Sequence, residues 1–564
     1  MATASMTTRP KGWRLFKAAV GSRKAATMLA FGFASGLPFA LLVGTLTAWL
    51  GDAKINLATI GVLSWIGLSY AFKFLWSPLV DRGKLPLLER LGRRKSWIAL
   101  CQGVIVLALL GLVATDPTSG IGRFALFAFI AALGSATQDM AIDGWRIDVS
   151  DETTTVELLS AIYQLGYRTA SIVGGAIALL MAAQMSWPAV YLAMAVLMAV
   201  LLLVTLTAPD TSRPDDAAAG LLTQPGELNA TMRGVALAVV GIAWAWAIVT
   251  ILAFMARMLG GTAPGETPPS VGDFLKLYGP LIVLATVLVP LGVGAMVNWY
   301  KARGRHLQAT AAPAHGTGRA IADHLYGALV APVADLAERL RWGVLIVIGL
   351  ILTYALCYNI WASFAYPFYL DFMHYSKEEV AFASKIFGII MSIIGVSLGG
   401  YLFVRIGRFP TVLIGAAFPI FGNFIYADLA EGAPHIDMVL HATHLDALVM
   451  AFGGDMRMAR LLLTICYENI STGLAGAAFV AYISTIVSKK FPAVQYALLS
   501  SLTFLIGSLS RGVAGEMIER VGYATVFREV AMVGLLAIVF VLLEWGRASA
   551  VARRAEPGDT GQAA

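Results

Sequence analysis

The chain has 564 residues, of which 58% are hydrophobic and only 13% are charged, and its formal net charge is +7. Soluble domains carry about 25% charged residues, so this composition excludes a nucleic-acid-binding protein, a disordered scaffold and a set of cytosolic enzyme domains. A helix that crosses a bilayer needs about 20 apolar residues, so the length allows a dozen or more membrane spans.

Fourteen apolar stretches are long enough to be membrane spans. In chain order they lie at about 27–50, 57–80, 96–114, 121–147, 158–183, 187–207, 234–258, 276–299, 342–368, 380–403, 408–428, 460–487, 494–516 and 523–545. Most of the 41 Lys and Arg residues fall in loops on the same face as the two termini, and the positive-inside rule assigns that face to the cytoplasm. We therefore predict an all-α, multi-pass membrane protein with both termini in the cytoplasm.

The grouping of the spans indicates how the chain is divided. Two sets of six spans, 27–207 and 342–545, flank a linker, 208–341, that contains two extra spans and a basic cytoplasmic segment. A cytoplasmic segment, 1–26, precedes the first half, and a cytoplasmic tail, 546–564, follows the second. Two six-helix halves with a long basic connection are the architecture of the major facilitator superfamily.

The basic loop between spans 2 and 3 resembles a loop motif of that superfamily. Its charged residues include Asp81, Arg82, Arg93 and Arg94, and a similar short loop that ends at Arg408 lies between spans 10 and 11. This weak internal repeat predicts a gating loop. The alternative is an ordinary cytoplasmic loop whose charges only satisfy the positive-inside rule.

Two carboxylates lie inside predicted span 4. Asp139 and Asp143 are four residues apart and therefore share one face of a helix. A charge at bilayer depth costs about 2.5–3.5 kcal/mol, and two adjacent carboxylates hold a proton more readily than one alone. We predict that this pair couples transport to protons, and above all Asp139. The alternative is a solvated helix end, which we prefer for nearby Asp148.

Five further charges lie within predicted spans: Lys73, Arg168, Lys385, Glu468 and Arg511. Spans 4 and 12 are equivalent in the two halves and each carries an acid, while spans 5 and 13 each carry an arginine. This pairing predicts a polar central cavity in which Arg168 or Arg511 holds a carboxylate or phosphate bidentately. Alternatively, the two arginines only neutralise Asp139 and Glu468.

Aromatic side chains are concentrated around span 9. Tyr354, Tyr358 and Trp361 share a helical face, and we predict either that they stack against sugar rings in the cavity or that they pack in the core. Tyr366 and Tyr369 lie nearer the end of the span, where a belt of rings at the membrane interface is the expected role.

The predicted outer loop, 429–459, contains His435, His441 and His444. His441 and His444 are three residues apart, which allows one helical face, but the spacing fixes no third metal ligand. We therefore favour a solvated loop over a metal site.

Several segments together resemble the AmpG-type muropeptide permeases. They are 31–38 (FGFASGLP), 72–82 (FKFLWSPLVDR), 134–148 (GSATQDMAIDGWRID), 166–168 (GYR), 467–469 (YEN) and 495–500 (QYALLS). The likeness covers about residues 25–208 and 342–545, and this family also has an extra central pair of spans.

The resemblance implies a proton-driven importer in a bacterial inner membrane that works as a monomer without a cofactor. Its substrates would be N-acetylglucosaminyl-1,6-anhydro-N-acetylmuramic acid and its peptides, for cell-wall recycling and β-lactamase induction, which links it to antibiotic resistance. Carried over by position, Gln138, Asp139 and Asp143 would form the central group. The complete set of predicted substrate-binding residues is Gln138, Arg168, Lys73, Tyr358, Trp361, Lys385, Glu468, Asn469 and Arg511.

Two other functions stay open. Residues 358–363 lack the charges that this family commonly has there, and Arg511 lies about one turn later than the family's arginine. A different cargo, such as acetyl-coenzyme A or a siderophore, is therefore the first alternative, and a membrane sensor that does not transport is the second. The sequence has no recognisable catalytic constellation, so we do not expect an enzyme.

Overall fold

The computed structural model describes residues 21–76, 80, 85–151, 154, 156–209, 227–260, 269–307, 322–323, 325–488 and 491–555. Within these ranges, 13 helices are long and apolar enough to cross a membrane, and Leu57–Tyr70 is a shorter apolar helix. Together they occupy the fourteen predicted spans, and no β-strand occurs in the described residues. The predicted all-α membrane architecture is confirmed, except that one of the fourteen helices is shorter than a full span.

We number the helices after the spans that they fill. They are α1 (Arg23–Asp52), α2 (Leu57–Tyr70), α3 (Arg93–Val113), α4 (Pro117–Val149), α5 (Ile162–Gln184), α6 (Trp187–Leu206), α7 (Ala230–Leu259), α8 (Val271–Ala302), α9 (Gly343–Phe364), α10 (Lys377–Phe403), α11 (Arg408–Ala430), α12 (Met456–Ile486), α13 (Leu498–Val521) and α14 (Tyr523–Arg553). Helices are the expected solution because an apolar segment in lipid must satisfy its own backbone hydrogen bonds.

The helices form two compact units by their contacts. Unit 1 comprises Met1–Trp49 and Leu75–Ala218, and unit 2 comprises Leu50–Phe74 and Ala219–Ala564. In unit 1, α1 packs against α5 and α6, and α3 packs against α4 and α6. In unit 2, α9 packs against α13 and α14, and α11 packs against α12 and α14. The same pairing therefore recurs when α9–α14 are aligned with α1–α6.

Glycines allow the closest helix contacts in unit 1. A Cβ atom added to Gly32 would lie 2.1 Å from the carbonyl oxygen of Tyr163, and one added to Gly166 would lie 2.2 Å from that of Leu29. Small residues are the usual means by which membrane helices bring their backbones together. The contact between α1 and α5 therefore depends on these two glycines.

The weak sequence repeat has a backbone counterpart. Gly92, just before α3, has φ 79°, and Gly407, just before α11, has φ 86°. Residues other than glycine are unfavourable at such φ values because they carry a Cβ atom. The equivalent turns at the start of the third helix of each half therefore use the same residue for the same reason.

The extra pair, α7 and α8, packs within unit 2 against α2 and α13. The ring of Trp65 on α2 lies 5.8 Å from that of Phe254 and 5.9 Å from that of Phe274. The carboxylate of Glu516 on α13 accepts the backbone N–H groups of Val271 (2.6 Å) and Gly272 (3.0 Å), so it caps the first turn of α8.

The chain before α9 forms a short helix, made of the π-helical turn Tyr326–Val330 and the α-helix Ala331–Leu340. Arg339 donates to the backbone carbonyl of Ile486 at 2.8 Å and to the side chain of Gln495 at 3.0 Å. This helix is therefore fixed to the end of α12 and to the segment that leads into α13.

Candidate functional site

Asp139 is the end of a hydrogen-bonded chain in unit 1. The hydroxyl of Ser35 on α1 donates to the Asp139 carboxylate, and the hydroxyl of Tyr163 on α5 donates to Ser35 at 2.8 Å. Next to it, the fully buried Gln138 donates to the backbone carbonyl of Ala34 at 2.9 Å. Two segments of the resemblance, on α1 and α4, therefore meet Tyr163 of α5 at one carboxylate.

Asp143 has different partners, although it shares the same face of α4. It forms an ion pair with Arg146 at 2.9 Å, and its side chain is 46% exposed. The Arg146 guanidinium also lies 5.5 Å from the centre of the Tyr163 ring. The two carboxylates therefore border the same tyrosine, and Arg146 pairs with the second.

The end of α4 is less solvated than we predicted. Asp148 is only 17% exposed. It forms ion pairs with Arg94 at 3.1 Å and with Arg93 at 4.0 Å. Gly144 leaves room for this contact, since a Cβ atom there would lie 2.4 Å from the Arg94 guanidinium carbon. The prediction of a solvated helix end at Asp148 is wrong because Arg93 and Arg94 of α3 pack against it.

The predicted loop residues Asp81 and Arg82 lie outside the described residues, so the structure places only Arg93 and Arg94 of that set. Lys73 is half-buried, in the short turn Lys73–Leu75 after α2. Arg168 is exposed on α5, so its guanidinium is accessible to solvent.

A second buried chain ends at Glu468 in unit 2. The hydroxyl of Tyr426 on α11 donates to the Glu468 carboxylate, and the Tyr369 hydroxyl lies 2.5 Å from the Tyr426 hydroxyl. Lys385 on α10 interacts electrostatically with Glu468 and lies 5.3 Å from the centre of the Tyr366 ring.

Two of the aromatic predictions need correction. Tyr366 and Tyr369 do not form an exposed interface belt, since they are only 5% and 2% exposed. After α9 the chain continues as the π-helical segment Pro367–Phe372, which brings Tyr369 to Tyr426. The sequence suggested no link between these two tyrosines because they are far apart in the chain.

Helix α9, which holds three of the predicted aromatic residues, is not continuous. It is interrupted at Ala355, between Gly343–Tyr354 and Leu356–Asn359, so regular helical spacing does not continue across it. Tyr354 stacks on Phe479 in the core with ring centres 4.5 Å apart. Tyr358 is half-buried and Trp361 is buried, and both line one small pocket.

Arg511 does not neutralise Glu468. Its buried guanidinium donates to the backbone carbonyl of Asn359 at 2.8 Å, where the interruption of α9 changes the backbone hydrogen bonding. Asn469, the neighbour of Glu468, donates to the backbone carbonyl of Ile465 at 3.0 Å. Both side chains hold backbone groups in unit 2.

Two of the three histidines in the predicted outer loop pair with carboxylates. His435 lies 2.6 Å from Asp428, and His441 lies 2.5 Å from Asp446. Hydrogen bonds from the Ala447 backbone and from His441 lower the pKa of Asp446 from its ordinary value. No group of three or more metal-ligating side chains occurs in the part of the chain that the structure describes.

Sequence reasoning missed Ser35, Tyr163, Tyr369 and Tyr426, which supply the hydroxyl groups of the two chains. Ser35 lies within the FGFASGLP segment, so its position in a polar gap of an apolar helix was a usable indication. The tyrosines gave none, since tyrosine is common in the cores of membrane proteins.

Comparisons with known proteins agree with this architecture. Residues 26–454 match the family described as the Major Facilitator Superfamily. The anhydromuropeptide permease of Escherichia coli strain K12 is 27% identical over 509 residues, which cover 89% of this chain and 76% of that protein. A Rickettsia felis protein that carries the name AmpG 4 is 25% identical over 517 residues, which cover 91% and 94% of the two chains.

A solved structure supports the fold alone. The crystal structure of an auto-inhibited POT family peptide transporter is 14% identical, has a TM-score of 0.60, and aligns with 96% of this chain and 99% of that one. The predicted resemblance to AmpG-type permeases is confirmed, and the names of these relatives agree with a membrane transporter and not an enzyme. Since the family match spans most of its length, the chain belongs to the Major Facilitator Superfamily.

Proposed function

We propose that this protein imports N-acetylglucosaminyl-1,6-anhydro-N-acetylmuramic acid and its peptides across a bacterial inner membrane, driven by protons. It would work as a monomer with both termini in the cytoplasm, and it would serve cell-wall recycling and β-lactamase induction. The Escherichia coli relative, an anhydromuropeptide permease by name, supports the cargo.

The observation that carries the proposal is the carboxylate of Asp139 at the end of the Tyr163–Ser35 chain. A buried or half-buried carboxylate within a membrane helix is costly and generally marks an ion or substrate pathway. The Ser35 hydroxyl, which donates to Asp139, stabilises its ionised form, and rotation of this hydroxyl lets it accept a hydrogen bond from the protonated form. Asp139 is thus suited to bind and release one proton during each transport cycle, with Asp143 in support.

Cations and aromatic rings suit the remaining parts of this cargo. The exposed guanidinium of Arg168 can hold a substrate carboxylate bidentately, and Lys73 and Lys385 supply two further positive charges. The half-buried ring of Tyr358 can stack on a sugar. On the predicted cytoplasmic side, the contact of Arg93 and Arg94 with Asp148 would open and close with the transport cycle.

Uptake by reconstituted protein tests the proposal. Labelled disaccharide, with and without its peptide, is added to proteoliposomes under an imposed pH gradient of about one unit. For one proton per substrate we expect about tenfold accumulation, because each pH unit corresponds to a factor of ten. A protonophore should abolish it, and accumulation that persists with the protonophore would contradict proton coupling.

Competition defines the cargo. Unlabelled disaccharide should reduce uptake of the labelled compound, whereas acetyl-coenzyme A and a ferric siderophore should not. If the disaccharide neither binds to nor enters proteoliposomes that contain folded protein, the cargo assignment is wrong.

A further inference from the structure

A small pocket lies beside Glu468 within unit 2. Its polar lining includes Tyr358, Asn423, Tyr426, Glu468 and Ser471, contributed by α9, α11 and α12. The cavity volume is about 10 Å³, which is roughly the room that one water molecule needs. A water molecule fits in this space and a sugar ring does not, so a sugar that stacks on the half-buried Tyr358 ring must approach it from outside the pocket.

Two polar atoms in the pocket lack partners among the described residues. They are Oδ1 of Asn423 and Oγ of Ser471, and these residues are only 2% and 1% exposed. The orientation of the Asn423 amide is set by its network, because its nitrogen donates to the backbone carbonyls of Cys357 and Pro419, both at 3.0 Å. Buried polar atoms are nearly always hydrogen-bonded, often by water, so Asn423 offers an acceptor to a molecule in the pocket.

The hydrogen bonds around Glu468 run in one direction. A tyrosine has a single hydroxyl proton, so Tyr426, which donates to Glu468, must accept from Tyr369. This chain supports the ionised carboxylate. A protonated Glu468 also has an O–H to donate. Tyr426 can accept it only if both tyrosine hydroxyls reverse their hydrogen bonds, whereas a water molecule held by Asn423 and Ser471 accepts it without that change. The pocket can thus satisfy both charge states.

The other titratable or charged groups near Glu468 are few. They are Lys385 on α10, Tyr426 on α11, the Tyr369 hydroxyl, and Tyr358 and Cys357 on α9. Trp361 and Phe527 pack against the Tyr426 ring, and the centres of their rings lie 4.4 Å and 5.2 Å, respectively, from its centre. The Tyr426 hydroxyl is therefore held in place, and Lys385 is the cation whose attraction competes with protonation.

We propose that Glu468 and a water molecule bound by Asn423 and Ser471 form a second proton-binding site, with Tyr426 as the residue that positions the carboxylate. A proton from solution reaches the water, which passes a proton to a Glu468 oxygen and stays a neutral molecule that accepts from the new acid O–H. In the reverse step Glu468 gives its proton to the water, which releases one proton to solution. This inference rests on the proposed proton-coupled transport, and it gives Glu468 a proton-carrying role instead of direct contact with the sugar.

Infrared difference spectroscopy tests the site without any cargo. Purified protein in lipid is titrated from neutral to acidic pH, and the carboxylic acid C=O stretching band is compared between the wild type and Glu468→Gln. We expect one band to be missing in E468Q and to be kept in Glu529→Gln, a control at an exposed position on α14. An E468Q spectrum identical to that of the wild type would overturn the proposal.

Transport of the labelled disaccharide separates a proton role from a substrate role. E468Q should keep disaccharide binding and exchange without a gradient within about twofold, while losing accumulation driven by the pH gradient. Loss of disaccharide binding in a folded E468Q protein would instead assign Glu468 to the substrate and overturn the proposal. If the wild type itself fails to bind the disaccharide, the cargo is wrong, and the infrared result still decides the proton site.

Tyr426→Phe provides a second variant in case E468Q does not fold. It keeps the carboxylate but removes the hydroxyl that stabilises its ionised form. We expect the C=O band of Glu468 to persist and to appear at a higher pH than in the wild type. A band that titrates at the wild-type pH in a folded Y426F protein would contradict the positioning role.

Discussion

The surroundings of Asp139 and Glu468 share one design and differ in their charges. Each carboxylate lies on the fourth helix of its predicted half, and each accepts from a hydroxyl that is itself bonded to a tyrosine. Asp139 has a second carboxylate and Arg146 within two turns. Glu468 has one cation, Lys385, and a shell of aromatic rings. The first site is therefore the more polar of the two.

The two acids also lie at different depths along their own helices. At 1.5 Å per residue, about 15 Å of helix separates Asp139 from Val149 at the end of α4, and about 27 Å separates Glu468 from Ile486 at the end of α12. Under the predicted orientation both of these ends face the cytoplasm. We therefore expect Glu468 to exchange protons more readily with the outside and Asp139 with the cytoplasm.

The largest effect should come from Asp139→Asn. An amide occupies the same space but cannot carry a proton, so we expect disaccharide accumulation under a pH gradient to fall to background, a loss of about tenfold for one proton. Accumulation by D139N at the wild-type level would remove Asp139 from the proton path.

The double variant D139N/E468Q sharpens the comparison. If the two acids act in one coupled path, the double variant should accumulate no less than the weaker single variant, because residues that act as a unit are not additive. Independent paths would instead leave residual accumulation in each single variant and none in the double variant.

Gly166→Ala should break the first site and leave the second intact. The added Cβ atom would meet the backbone of Leu29 at 2.2 Å, so α1 must move away from α5 and separate Ser35 from Tyr163. We expect a lower melting temperature and loss of proton-driven uptake. Gly103→Ala on α3 is the matched control, since nothing lies within 4 Å of its added Cβ atom, and a G166A protein as stable as G103A would contradict the close contact.

The positions of the helices followed from the sequence, but several side-chain roles did not. Apolar length and loop charge locate each span because the bilayer leaves few alternatives to a helix. The interruption of α9 at Ala355 has no such indication, as no proline or glycine marks it. The helical spacing of Tyr354, Tyr358 and Trp361 therefore does not by itself fix the face that they share.

The partners of the buried charges were equally hard to predict. The sequence identified Asp139 and Glu468 as costly residues, and the symmetry of the spans suggested that Arg168 and Arg511 either hold the substrate or neutralise these acids. Hydroxyl groups of Ser35 and Tyr426 donate to the two carboxylates, Lys385 lies near Glu468, and Arg511 binds the Asn359 carbonyl. Such choices depend on where the backbone opens, which the spacing of charges along the chain does not report.

Ser35→Ala should have a moderate effect that can be compared with that of Tyr426→Phe. Both variants remove the hydroxyl that donates to a carboxylate, and interhelical hydrogen bonds in membranes contribute about 1–2 kcal/mol at most. Each substitution also removes the partner of a tyrosine hydroxyl, that of Tyr163 in S35A and that of Tyr369 in Y426F, so we expect decreases of similar size in the free energy of unfolding. A loss confined to one of the two variants in denaturant titrations would contradict the equivalence of the two chains.

Asp143→Asn should have the smallest effect. The Asp143 side chain is 46% exposed and its ion pair with Arg146 joins adjacent turns of one helix, and exposed pairs of this kind contribute about 0.3–0.5 kcal/mol. Accumulation under the pH gradient should therefore fall by less than about threefold, a factor near 0.7 kcal/mol, because Asp139 keeps its own hydrogen bonds. The measurement is the same uptake assay, with D139N as reference. A loss in D143N as complete as that in D139N would show that the two carboxylates share one proton. The second carboxylate, which Glu468 lacks, would then be what distinguishes proton binding at the first site.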